Sequence, residues 1–329
     1  MSALLTPGRW LLTVLLLTLA AVVALVIAVL SGSLAVDPRD LLSGADAQAG
    51  LAQRVVFELR LPRALTAFVA GALLALAGVL MQVLLRNPLA DPYILGTSGG
   101  ASVAALALIL TGAQAWLLPV GAFFGALFSM ALVFGIARGS GGGGDNGNRL
   151  LLTGVVVAAG WGAVINVLLI LAEGHSTRAM LFWLMGDLSG SRGPGIGVWV
   201  LIAALLAALM LARDLNLMLR GAVPAATLGV AVHHVRMGLY LIASLATASA
   251  VTLAGSVAFV GLIVPHLARL IWGPDHRLLL PASALLGGTL LILADTGART
   301  LLAPRQLPVG ILTALLGIPV FLYLIRRQP

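Results

Sequence analysis

Few side chains in this chain could do chemistry, and their types exclude most of it. Among 329 residues there is no cysteine, and all 19 basic residues are arginine. Without cysteine there is no thiol catalysis, no disulfide and no thiolate metal site. Without lysine there is no Schiff-base chemistry and no Walker A phosphate loop, whose lysine holds nucleotide phosphates. Of the 11 acids, only Asp295 falls inside a long apolar run. A carboxylate within a membrane span is a candidate for proton or ion coupling. The plainer alternative is a pair with Arg299, one helical turn on and on the same face. With no relay of acids or histidines around it, the pair is preferred. His266 follows Pro265 and suits a packing or capping role, while His233, His234 and His276 are too scattered to hold a metal. No Ser–His–Asp arrangement or carboxylate pair is legible. The glycine tract 139–147 resembles a phosphate cradle only superficially, and a flexible linker is expected there.

The elements that would position these residues are set by composition. The chain is 60% hydrophobic and 9% charged, where a soluble domain carries about 25% charge. An all-α, polytopic membrane protein follows, read as one transmembrane domain over 1–329. About 20 apolar residues span a bilayer as a helix. Apolar runs that could do so, or nearly so, occur at 10–30, 64–85, 93–110, 116–137, 150–172, 198–211, 237–253, 255–272, 281–300 and 307–325. The first is expected to be retained and not cleaved as a signal peptide. The intervals 31–61 and 173–194 are expected to be polar loops. Gly71 and Gly78 are expected to let neighbouring helices pack closely. Gly160-Trp161-Gly162 predicts a broken fifth span lining a cavity, or a second close-packing site.

The interval 213–236 interrupts the apolar pattern with Arg213, Arg220, Arg236, His233-His234 and a Gly-Ala-Val-Pro turn. It is expected to lie outside the membrane. Ten spans place both ends on one side, with 11 arginines on that side and 8 on the other. The positive-inside rule makes that side cytoplasmic. The net charge of +8 is assigned to interfacial anchoring and anionic membrane lipid, not to nucleic acid, because no basic patch is interleaved with aromatics.

Five stretches then resemble one family: RLPRALTAFVAGALLALAGVLMQ (60–82), RNPLADPYILGTSGGA (86–101), FWLMGDLSG (182–190), GSVAFVGLIVPHLARLIWGPDHRLLLPASALLGGTLLILAD (255–295) and LPVGILTALLGIPVFLYL (307–324). They are similar to permease subunits of the FecCD or BtuC type, from bacterial ATP-binding-cassette importers of iron–siderophores, haem and cobalamin. The resemblance implies a homodimer in the bacterial inner membrane, with two copies of a cytoplasmic ATPase and a periplasmic binding protein. ATP and Mg would bind that ATPase, and this chain would need no cofactor. The cargo implied is a bulky iron chelate, haem ahead of a ferric siderophore, with cobalamin as the alternative. By motif position, Arg60, Arg63 and Arg299 would dock the binding protein. The path would run at the dimer interface along the fifth and tenth spans, with Gly160, Trp161, Asn166 and the flanking Arg178 as candidate contacts. The coupling segment would be 213–236, with Arg220, Gly221, Ala225, Leu228 and Gly229 meeting the ATPase. Two departures stand out: Ala222 and Gln306 occupy positions where the family usually has an acid. A secondary transporter working alone would need more intramembrane ionisable groups than Asp295. A membrane enzyme would need a polar cluster that the sequence lacks.

Overall fold

The computed structural model describes residues 6–32, 47–138 and 146–327. Asp37-Pro38 and most of the glycine tract lie outside these. Helix α1 runs Pro7–Leu30, with the Thr6 side chain accepting from the Arg9 amide. The interval expected to be a loop up to residue 61 is helical from 47: α2 (Ala47–Arg54) passes through a π turn (Val55–Arg60) into α3 (Leu61–Leu84). Proline lacks an N–H and clashes in a helix interior, and Pro62 follows this helical stretch without interruption. The π turn relieves this: the Leu61 amide reaches back to the Val56 carbonyl, and Pro62 sits in the first turn of α3.

A 3-10 turn (Pro92–Leu95), started by the Asp91 carboxylate accepting from the Tyr93 amide, leads into α4 (Thr97–Leu110). Then follow α5 (Leu117–Arg138), α6 (Asn146–Leu171), α7 (His175–Leu184), α8 (Gly197–Met210), α9 (Ala212–Met218) and α10 (Ala222–Thr227). The chain closes with α11 (Val232–Ala254), α12 (Val260–Trp272), α13 (His276–Thr300) and α14 (Val309–Arg327). No strand occurs among the described residues.

Two further expectations fail. The interval 173–194 is not all loop, since its apolar Ala-Met-Leu-Phe-Trp-Leu run forms most of α7. The fifth span is not broken, since α6 passes straight through Gly160-Trp161-Gly162. Glycine weakens a helix by about 1 kcal/mol relative to alanine in water. In hydrocarbon, however, a break would strand backbone groups at several kcal/mol each. By length and apolarity, six helical stretches among the described residues suffice to cross a membrane, and the α8–α9 pair, bent by 58°, raises this to seven. The remaining apolar runs, on α4, α12 and α14, form shorter helices.

Helix α3 is the centre of the bundle. It is buried nearly all round and packs against α1, α8, α11, α12 and α13. A helix apolar on every side belongs in such a place. The glycines expected to permit close packing do so. A Cβ on Gly71 would lie 2.8 Å from Leu291 Cβ and against Gly287 of α13, and one on Gly78 would lie 2.7 Å from the Gly261 carbonyl carbon of α12.

Helix α13 connects the two ends of the molecule. At its start, Asn216 of α9 donates to Asp275 (2.8 Å) and accepts from the His276 amide (2.9 Å), while the Trp10 indole donates to the Arg277 carbonyl (3.1 Å). Near its other end sit Asp295 and Arg299. At 1.5 Å per residue, the 19 steps from His276 to Asp295 cover about 29 Å. That is close to the ~30 Å hydrocarbon thickness of a bilayer.

Candidate functional site

At the far end of α13, four charged side chains share one buried cluster. The Arg63 guanidinium grips Asp295 through Nε (2.9 and 3.1 Å) and Nη2 (2.8 Å), and its Nη1 donates to Gln306 Oε1 (2.8 Å). Arg299 approaches the other oxygen of Asp295 at 3.4 Å and donates to the Ala28 carbonyl at the end of α1 (2.9 Å). Arg60 donates to the Val29 and Leu30 carbonyls (3.0 and 3.1 Å). Arg63, Arg299 and Asp295 are 7%, 8% and 1% exposed. The i,i+4 partner expected for Asp295 is therefore present, but the closer partner is Arg63, 232 residues away in sequence. The three arginines thought to dock a partner lie together at one end of the bundle, with bonds directed inward that tie α1, α3 and α13. Asp295 serves as the counter-ion to Arg63 and Arg299.

At the opposite end, the interval 213–236 holds α9, α10 and the first residues of α11, which begins at Val232. Gly221 has φ +109° and ψ +161°, a region open essentially to glycine alone, and Gly229 has φ +85°. These glycines set the entry to α10 and the exit from it. Arg220, Leu219 and Leu228 are exposed, and Val223 is 76% exposed. Ala225 has the opposite orientation: it is 0% exposed and belongs to the main core, so it anchors α10 and cannot lie in an outer contact surface. Val223 is the exposed apolar side chain of α10 instead. Nothing in the residue pattern signals this, because the orientation of a six-residue helix depends on which residue the core accepts.

The path candidates separate into three environments. Trp161 turns inward, donating to Ser129 Oγ (2.7 Å), which donates in turn to the Gly96 carbonyl (2.8 Å). A Cβ on Gly99 would lie 2.7 Å from Trp161 Cβ, so the indole is a packing residue between α4, α5 and α6. Gly160 and Asn166 are exposed on the outer face of α6, with open space beside Gly160. Arg178 lies elsewhere, with its guanidinium 5.6 Å from the Phe182 ring centroid, in the wall of a cavity of about 970 Å³. Helix α6 contributes nothing to that wall. Among the described residues, no group of His, Asp or Glu could hold a metal ion.

An all-α bundle of membrane-crossing helices, carrying a bent helical excursion at one end and an ion cluster at the other, defines a multi-pass permease. A model of the FecCD transport family matches residues 18–327, and the chain belongs to that family. It is 43% identical over 284 residues to the cobalamin import system permease protein BtuC of Halobacterium salinarum, covering 84% of this chain and 74% of that one. The hemin transport system permease protein HmuU of Yersinia pestis is 42% identical over 278 residues, covering 82% of each. The Fe(3+) dicitrate transport system permease protein FecD of Escherichia coli is 40% identical over 278 residues, covering 83% and 86%. Among solved structures, an inward-facing metal-chelate type ABC transporter superposes with a TM-score of 0.82 at 32% identity, over 96% of this chain and 99% of that one.

Proposed function

We propose that this chain is the translocation subunit of an ATP-driven importer that carries a bulky iron chelate, haem first, across the bacterial inner membrane. The observation that carries the reading is the placement of two unlike ends about 29 Å apart. One end presents a short, outward-facing helix pair and the other a cluster of arginines. On this reading α9 and α10 sit on a cytoplasmic ATPase, with Leu219, Arg220, Val223 and Leu228 as the contact surface. Gly221 and Gly229 fix its shape. The ATPase is a separate chain, since no lysine is available here for a phosphate loop. Helix α1 begins, and α14 ends, at this same cytoplasmic end.

The arginine end then faces the periplasm, where a binding protein delivers the cargo. Arg60, Arg63 and Arg299 give that end its positive potential, which steers an acidic partner more than it adds affinity. Gln306, neutral where an acid would have offset Arg63, leaves the potential stronger. A second copy of the chain packs against the first, and the cargo passes between them along α6 and α14. The exposed Gly160, Asn166 and apolar residues of α6, with exposed Leu315, Leu316 and Leu322 on α14, support this placement. Trp161 supports the wall from behind.

The test is uptake into proteoliposomes holding this chain, its ATPase and its binding protein, with haem, a ferric siderophore and cobalamin offered in parallel. Haem accumulation that needs ATP is the expected result. Uptake of cobalamin or the siderophore without haem would overturn the cargo, and uptake of any of them without ATP or an ATPase would overturn the mechanism.

A further inference from the structure

The ~970 Å³ cavity at the arginine end has no part in the path just described. Its wall joins Thr66, one turn past Arg63, to the α4–α5 connection, the end of α11 and one face of α7. On α7 the lining positions are His175, Arg178, Ala179, Phe182 and Trp183, spaced 3, 1, 3 and 1 residues apart and so on one side of the helix. That side is graded: its outer half carries a histidine and an arginine, and its inner half carries two aromatic rings. Arg192 adds a second guanidinium from the loop before α8. Among the described residues, neither Arg178 nor Arg192 is in an ion pair. The one acid in the wall, Asp187, turns its oxygens to the Ser189 amide (2.8 Å) and hydroxyl (2.5 Å).

The apolar surface continues out of the cavity. Ile196 lines its mouth and is followed along α8 by Trp199, Leu206 and Met210, all exposed. These four positions fall within one narrow stripe of the helix, which extends about 21 Å. The stripe is longer than the ~15 Å half-thickness of a bilayer's hydrocarbon. Exposed Trp116 and Trp199 mark the level at which indoles sit between headgroups and acyl chains.

We propose that this cavity binds the headgroup of an anionic phospholipid, with the phosphate held by Arg178, Arg192 and His175 and an acyl chain lying along the α8 stripe. A cationic recess at headgroup depth with an apolar track leading from it matches an anionic amphiphile at both ends. A small soluble anion would leave the track unused. The proposal rests on the chain crossing the membrane and not on the identity of the cargo, so uptake assays and lipid assays can fail separately.

Native mass spectrometry of the full chain released from detergent, with dioleoyl phosphatidylglycerol and dioleoyl phosphatidylcholine added at equal ratio, tests it. Two arginines beside a headgroup, at about 1 kcal/mol each, give roughly a thirtyfold preference for the anionic lipid. Arg178→Gln with Arg192→Gln should reduce this to about twofold or less, whereas the paired lysine variants should retain most of it, because lysine still offers a point charge to phosphate. Arg192→Gln alone, at an exposed loop position, should cost about fivefold without affecting folding. Equal binding of the two lipids, or an unchanged preference in either glutamine variant, would overturn the proposal. So would one-for-one displacement of phosphatidylglycerol by hemin, which would assign the cavity to cargo.

Discussion

Replacing Asp295 with asparagine should be among the most damaging conservative changes available in this chain. The side chain is 1% exposed and accepts three bonds of 2.8–3.1 Å from Arg63, with Arg299 at 3.4 Å. Asparagine keeps the shape and one acceptor but leaves two guanidinium groups, 7% and 8% exposed, without the counter-charge. Breaking a buried pair in this way costs about 3–5 kcal/mol, because the surviving charge stays desolvated. At 1.4 kcal/mol per decade, that is roughly two to three and a half orders of magnitude in the folding equilibrium. The assay is denaturant unfolding of the purified chain in mixed micelles, followed by tryptophan fluorescence. Adding Arg63→Met to Asp295→Asn should recover more than half of the loss, since it removes the nearer of the two stranded charges. Asp295→Asn alone within about 0.5 kcal/mol of the parent, or a double variant whose losses simply add, would refute the cluster as a structural tie.

Three further outcomes follow. Val223→Asp and Leu228→Asp, at exposed positions of the α10 region, should unfold like the parent yet abolish ATP-driven uptake; normal uptake would remove these residues from the coupling surface. Ala225→Asp, at a fully buried position, should instead cost several kcal/mol by burying an unpaired charge, seen as loss of folded protein before any transport is measured. Gly221→Ala, at φ +109°, should cost about 1–3 kcal/mol of local strain, read as faster proteolysis around residue 221 together with weaker retention of the ATPase, while the rest of the bundle melts unchanged.

What could be read from the sequence was whatever depends on local pattern. The apolar runs located the helices, and small residues in an apolar helix located the close crossings at Gly71 and Gly78. Features decided by distant partners were not legible. The Arg63–Asp295 fork joins residues 232 apart, and nothing near either one announces it. The interval up to residue 61 looked like a polar loop because the π turn that carries a helix through its end has no residue signature. The glycines beside Trp161 looked like a break because glycine propensity is measured in water, whereas α6 lies where an open backbone group has no water to bond. Ala225 matched a family pattern by position, but only the packed structure shows that it faces inward.

The crossings of α3 also limit how this sequence can drift. A Cβ on Gly71 would meet the backbone of Gly287, and one on Gly287 would meet Ala75 Cβ at 2.5 Å and the backbone of Gly71. A Cβ on Gly78 would meet the backbone of Gly261, and one on Gly261 would meet Pro92 at 2.7 Å and the Leu74 carbonyl at 2.9 Å. In each case the obstacle includes main chain, which unlike a side chain cannot rotate aside or be trimmed by a second substitution. Neither partner of either pair can therefore be exchanged first to make room for the other. The two helix spacings at the heart of the bundle are closed to stepwise replacement, and variation is displaced to the lipid-facing helices around them.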